Sequence, residues 1–299
     1  MAFTALVVAL GWVFLREATR NVRRPVAAPR AGPLVAAPTP SPPMTRACRP
    51  APAFAAAASQ NAASLATAQW SAFGRRETGW EIYAPMTAHE IGTACPPDAP
   101  GFAKALGQWQ ATRGLSPIGV MDEPTLRALE LVWLGRRPFV AATAHGACPP
   151  PPSADSLVQA RPDEGYEGKA IQLRAGTLGA YRSMVAAARS EDPAIAADSR
   201  LLTIFSGYRD PTADALRCLM ELNCGTSARA NCSAHRTGLA MDMYLGAAPG
   251  YPPESSADPN RLYQSRSSAY HWLVANAERF GFVNYPFEPW HWEWTGEPP

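Results

Sequence analysis

Apolar residues recur at helical spacing in four stretches. Over Pro100–Arg113, Phe102, Leu106 and Trp109 stand four and three residues apart, which predicts an amphipathic helix, with Gly114 where a C-terminal cap glycine belongs. A second helix follows Asp122 as N-cap, with Pro124 in its first turn and Leu126, Leu129 and Val132 or Trp133 on its apolar face. Leu173, Leu178, Tyr181, Met184, Val185 and Ala188 predict a helix over 173–189, ended or offset by Pro193. Tyr270, Leu273, Val274, Ala277 and Phe280 predict another over 268–280, capped by Gly281. A shorter helix around 60–73 would use Leu65, Trp70 and Phe73 as apolar anchors.

Strand patterns fall between the later helices. Leu201–Phe205 is a β-prone apolar run that reads as a buried strand. Leu239–Leu245 has period two, with Ala240 and Asp242 on one face and Leu239, Met241 and Met243 on the other. Phe282–Tyr285 starts a further extended segment. Trp290–Trp294 alternates, placing His291 and Glu293 opposite the three tryptophans. The pattern predicts an α+β fold: a small antiparallel sheet with flanking helices, preceded by a small all-helical module.

Proline punctuates this order. The 31 prolines cluster, notably in Pro38–Pro43 and Pro149–Pro152, where missing donors and fixed φ exclude helix and central strand. Residues 1–15 are almost wholly apolar and are followed by Arg16, Arg20, Arg23 and Arg24. That run is short of the roughly 20 residues a spanning helix needs, and reads as an export signal or a membrane anchor, with a buried helix as the alternative. The predicted order is a signal or anchor over 1–24, a Pro/Ala-rich linker over 25–59, the helical module over 60–135, a second linker over 136–167 and a catalytic domain over 168–299.

Composition narrows the function classes. An apolar content of 47% permits a sizeable core, and a net charge of +2 leaves no basic field for nucleic acid. The six cysteines, Cys48, Cys95, Cys148, Cys218, Cys224 and Cys232, form no CxxC pair, and their even count and wide spacing fit disulfides in an oxidising compartment. Cys95 and Cys148 bracket the helical module, so position alone suggests a bridge between them. Cys218, Cys224 and Cys232 match no zinc-knuckle spacing, and a disulfide clamping the loop before His235 is the better reading.

The chemistry concentrates in Ser233–Asp242 and Glu288–His291. His235, Asp242 and His291 offer two imidazoles and a carboxylate, a donor set that holds one zinc ion and leaves it an open position. An acidic Asp242 inside an apolar strand is informative, because an unpartnered buried carboxylate is costly. Glu288 and Glu293 are both placed to act as a base, and spacing alone does not separate them. Ser206-Gly-Tyr-Arg209 directly follows a buried strand, so Arg209 either lines a cleft or pairs with Asp210 or Asp214. His271 belongs to the predicted helix over 268–280 and reads as a packing or surface residue.

Two resemblances follow from these residues. Phe102, Trp109-Gln110, Gly114-Leu115, Gly119, Thr125-Leu126 and Leu129 resemble the peptidoglycan-binding-like domain that accompanies cell-wall hydrolases, with Trp109 for the usual Phe and Ile118-Gly119 for Asp-Gly. Ser233-x-His235, Gly238, Ala240 and Asp242, with Glu288-x-Trp290-His291 and the upstream Ser206-Gly-Tyr-Arg209, resemble the zinc D-alanyl-D-alanine carboxypeptidases of the VanY type over residues 170–295. The second resemblance implies one zinc ion per chain on His235, Asp242 and His291, with Glu288 as catalytic base. It implies that Arg209 meets a substrate carboxylate or oxyanion, that Ser206 and Tyr208 bind substrate and that Ser233 supports the site from behind. The implied substrates are peptidoglycan stem peptides at the cell envelope, on the periplasmic or extracellular side. The leading reaction is D,D-carboxypeptidase cleavage; the alternatives are endopeptidase cleavage of crosslinks and a zinc-containing wall-binding protein without activity. After Arg209 the chain departs from the family pattern, with Asp210-Pro-Thr-Ala-Asp214 and a Cys-containing insertion.

Overall fold

The computed structural model describes Cys48, residues 51–222 and residues 232–299. The apolar run and arginines expected to form a signal or anchor, the proline-rich linker up to residue 47, and Cys224 lie outside the described residues. Among the described residues no helix is long and apolar enough to cross a membrane.

The first half contains α1 (Ala55–Ser64), the strands β1 (Gln69–Ala72) and β2 (Arg75–Thr78), and then α2 (Ala84–Glu90), α3 (Pro100–Thr112), α4 (Glu123–Gly135) and α5 (Pro138–Thr143). The two central helices form where their apolar spacing places them. Phe102, Leu106, Leu126, Leu129 and Trp133 are buried, and the Asp122 carboxylate caps α4 by accepting from the Thr125 backbone N–H at 3.0 Å. The expectation of an all-helical module is corrected by β1 and β2, an antiparallel hairpin turning at Phe73 and Gly74, both at positive φ. Residues 69–72 alternate exposed and buried, which suits a strand and not a helix.

The second half runs β3 (Leu157–Gln159), β4 (Gln172–Arg174), α6 (Ala175–Glu191), α7 (Pro193–Ala197), β5 (Ile204–Ser206), α8 (Pro211–Glu221), β6 (Ala240–Met243), α9 (Asp258–Ser265), α10 (Ser268–Asn276), β7 (Phe282–Asn284) and β8 (His291–Trp294). A four-stranded sheet has the order β5-β6-β8-β7 with every pair antiparallel. Met241 pairs with Trp292 and Asn284 with Trp292, so one face carries Met241, Met243, Phe282 and Trp292 into the core. On the other face Ser206 lies opposite Asp242, and Asp242 opposite His291. A register irregularity between Ile204 and Ser206 lets Ile204 face the core while Ser206, two residues on, pairs at the site.

The described residues all lie in one compact unit, and a single apolar cluster joins Trp70, Trp80, Tyr83, Phe102 and Trp133 to Leu173, Met184, Met241, Tyr270 and Trp292. The segment 136–167 holds α5 and β3, and β3 pairs with β4. Cys95 and Cys148 do not bridge each other. Cys48 pairs with Cys95 and Cys148 with Cys232, at Cα separations of 5.4 and 5.8 Å, within the reach a disulfide requires. The second bridge does fasten the chain just before His235, but its partner lies 84 residues away and not within the neighbouring insertion.

Candidate active site

The register just described sets two of the three expected ligands side by side on adjacent strands, Asp242 on β6 and His291 on β8. His235 comes from a single 3-10 turn, Ala234–Thr237, that precedes β6. Ser233 starts that turn, its hydroxyl accepting from the His235 N–H at 3.3 Å, and Gly238 ends it at a φ of 70°, which disfavours any side chain. His235 Nε2 lies 3.2 Å from Asp242 Oδ2, and His291 Nδ1 lies 2.9 Å from Asp242 Oδ1. Ligand atoms from His235, Asp242 and His291 all fall within 4.8 Å of one another, and all three residues are buried.

The far side of each imidazole is held. His235 Nδ1 lies 2.8 Å from the Gly207 carbonyl oxygen, and a carbonyl only accepts, so Nδ1 carries the proton and Nε2 presents its lone pair. Gly207 is needed for this approach: a Cβ there would stand 2.6 Å from the Gln172 carbonyl oxygen. His291 Nε2 lies 3.4 Å from Glu293 Oε1, which leaves Nδ1 toward Asp242. Carboxylate or carbonyl backing of this kind orients metal-binding histidines.

The electrostatics fit a cation. Burial lowers the His235 pKa, and the nearby Arg209 adds to that, so this ring stays neutral. Its Nε2 lone pair then faces a carboxylate oxygen, an acceptor against an acceptor, which a cation between them resolves. Burial works against ionisation of Asp242, yet His235 and His291 hold its carboxyl far below the usual range. Burial also opposes a charge on His291, but its hydrogen bonds to Asp242 and Glu293 push it up to about 9. Two imidazoles and one carboxylate are the donor set of an open zinc site, so the residues fit the group.

Around the three ligands lies a cleft of about 1220 Å³, lined among others by Ser206, Arg209, Ser233, Tyr285, Glu288 and Trp290. Arg209 donates to Ser206 Oγ at 3.1 Å and to Asp242 Oδ2 at 3.3 Å, so it joins the site and not the surface carboxylates Asp210 or Asp214. Its backbone N–H donates to the His235 carbonyl oxygen at 3.2 Å, which locks the two loops together. Glu288 Oε2 stands 4.0 Å from His291 Nδ1, and burial raises its pKa. Glu293, the other carboxylate considered as a base, is engaged: it accepts from Arg137 Nε at 2.7 Å and from the Phe139 N–H at 3.1 Å. Burial would raise its pKa, but His291 and Arg137 bring it down to about 2.

Not every expected residue reaches the cleft. Tyr208 is not among its lining residues, and its hydroxyl donates to Asp210 at 3.4 Å. His271 lies on the exposed side of α10, outside the ligand cluster. Trp290 departs from its two companions: it packs with Phe205 and Tyr244 beside the cleft, while Trp292 enters the main core. Three contributors escaped the sequence reading. Gly207 stood within a recognised motif without an assigned part, whereas Arg137 and Phe139 come from a segment read as linker.

Residues 170–297 match the family model described as VanY: D-alanyl-D-alanine carboxypeptidase. No curated protein matches the chain. The match spans the sheet and the turns that supply all three ligand residues together with Arg209 and Glu288.

Proposed function

We propose that this protein is a zinc D-alanyl-D-alanine carboxypeptidase that removes the terminal D-Ala from peptidoglycan stem peptides. The observation that carries the reading is the convergence of His235, Asp242 and His291 ligand atoms within 4.8 Å inside a family-matched domain. A zinc ion held by these three residues supplies Lewis acidity, polarising a carbonyl and lowering the pKa of a water to about 7.

The chain's own residues do the rest. Glu288 lines the cleft next to His291 and takes the proton from the attacking water. The same carboxyl then delivers that proton to the amine nitrogen of the leaving D-Ala, so the base is regenerated within one turnover. Arg209 presents a guanidinium to the cleft beside Asp242 and offsets negative charge on the substrate, either the terminal carboxylate or the oxyanion. Ser206 holds the Arg209 side chain, and Ser233 shapes the turn that carries His235. Tyr208 takes no part in this scheme. The envelope is the compartment where this substrate and two disulfides coexist.

A second reading is endopeptidase cleavage of crosslinks. A cleft of about 1220 Å³ exceeds what a dipeptide terminus fills and admits a longer peptide. Both readings are separated by incubating the full chain, with and without added zinc, with pentapeptide muropeptides and with crosslinked dimers. Zinc-dependent release of free D-Ala is expected. Splitting of dimers without D-Ala release would transfer the site to the second reading, and no cleavage of either by zinc-loaded protein would overturn both.

A further inference from the structure

The N-terminal half does more than cover the core: it reaches the metal-binding cluster. Arg137 precedes α5 and is buried at 8% exposure, its guanidinium on Glu293, which is 1% exposed. Arg137 Nε donates to Glu293 Oε1 at 2.7 Å, and the Phe139 backbone N–H donates to Oε2 at 3.1 Å. The same Oε1 lies 3.4 Å from His291 Nε2. On its other side the guanidinium lies 4.0 Å from the Tyr285 ring centroid, and that ring is edge-on to His291 at 6.1 Å. The imidazole of His291 is thus confined by a carboxylate and an aromatic ring, and Arg137 touches both.

A carboxylate this deeply buried stays ionised and fixed only with donors on it. All of the donors named besides His291 itself belong to residues 137–139, more than 150 positions earlier in the chain. We infer that Arg137 is a positioning residue for the metal centre: acting through Glu293, it fixes the ring orientation of His291, so that the N-terminal half completes the active site of the carboxypeptidase domain. The inference rests on the zinc reading above and concerns metal affinity, whatever the peptide substrate proves to be. It also gives Glu293 a defined part, as the anchor of a ligand and not as the base.

The test is zinc affinity of the full chain, measured by chelator competition, together with the absorption spectrum of the cobalt-substituted protein. Arg137→Met is expected to weaken zinc binding about 10- to 100-fold and to alter the cobalt d–d bands. Glu293→Gln is expected to do the same, and the double variant to bind no more weakly than Glu293→Gln alone, because one residue acts through the other. Thermal unfolding of the metal-free proteins separates affinity from folding. If Arg137→Met does not fold, Arg137→Lys carries the test: it keeps the charge but not the fork that grips Oε1, and is expected to weaken binding at least about threefold. Wild-type affinity and an unchanged cobalt spectrum in a folded Arg137 variant, or losses that multiply in the double variant, would overturn the inference. Absence of zinc binding by the wild-type chain would instead overturn the metal reading itself.

Discussion

At the scale of single residues, the site depends on side chains whose second contacts are already taken. Arg209 illustrates this, because its Nε is on Ser206 while Nη2 is on Asp242, leaving its position set before any substrate arrives. Lysine would keep the charge and lose the planar fork. Arg209→Lys is therefore expected to lower kcat/KM by about 100-fold or about 3 kcal/mol of transition-state stabilisation, with zinc still bound. Steady-state kinetics beside metal analysis checks this; wild-type kcat/KM would remove Arg209 from the scheme. Of the eight residues assigned from sequence, His235, Asp242, His291, Glu288, Arg209, Ser206 and Ser233 do gather at or behind the cleft. Their types and spacing carry that information because each lies on a short turn or strand whose neighbours are fixed locally. Tyr208 differs: its hydroxyl turns to Asp210, and the direction of one side chain beyond the end of β5 is not written in the spacing.

At the scale of elements, helices with clear period were legible and the small irregular pieces were not. The helices α3, α4, α6 and α10 lie where Phe102, Leu126, Tyr181 and Leu273 predict them. Gly165 to Gly168 shows the contrary case, since its fold depends on a distant helix. Glu164, just before it, receives Arg182 of α6 in a two-pronged contact at 2.6 and 2.9 Å, along with the Arg161 N–H at 2.7 Å. Its carbonyl oxygen accepts from the Ile204 N–H, so this carboxylate steadies the start of β5. Burial alone would raise the Glu164 pKa, but Arg182 and the Arg161 N–H hold it below its ordinary value of 4.5. A depressed pKa means stability that is complete above that value and is lost as the pH falls through the lower, folded value. Glu164→Gln is expected to cost about 1–2 kcal/mol near neutral pH, a modest figure because Arg182 is 40% exposed. Thermal unfolding of both proteins across pH checks this: their difference should shrink below pH 4.5. A gap that stays constant to lower pH would contradict the assignment.

At the scale of the whole molecule, the two halves are tied by buried charge as well as by the apolar cluster. Arg261 of α9 has no exposed surface and meets Glu77 of β2 at 3.0 Å, with the Tyr83 hydroxyl as a further partner. Its guanidinium also stacks over Phe287 at 4.1 Å, just before Glu288, the proposed base. No local pattern announces a pairing across 184 residues, which is why the halves read as beads on a linker. Removing Glu77 would leave the buried guanidinium only the half-exposed Asp258 carboxylate, 3.1 Å away, to balance its charge. Glu77→Ala is expected to destabilise the chain by about 3–5 kcal/mol and to uncouple the halves, seen as two unfolding transitions or one at much lower denaturant. A single transition at the wild-type midpoint would show that the halves are held by apolar contact alone. Apolar packing across the boundary also explains why the cleft has walls from both halves, with Phe73, Arg75 and Phe139 facing Arg209 and Trp290.

In the proposed mechanism three ligands gather one metal ion and Glu288 moves the proton. The most direct measurement is D-Ala release from a pentapeptide stem by wild-type and Glu288→Gln proteins, each with its zinc content determined on the same sample. One zinc per chain is expected in both, with release by the wild type and a rate at least about 100-fold lower in Glu288→Gln. Equal rates from the two proteins at equal zinc content would contradict it.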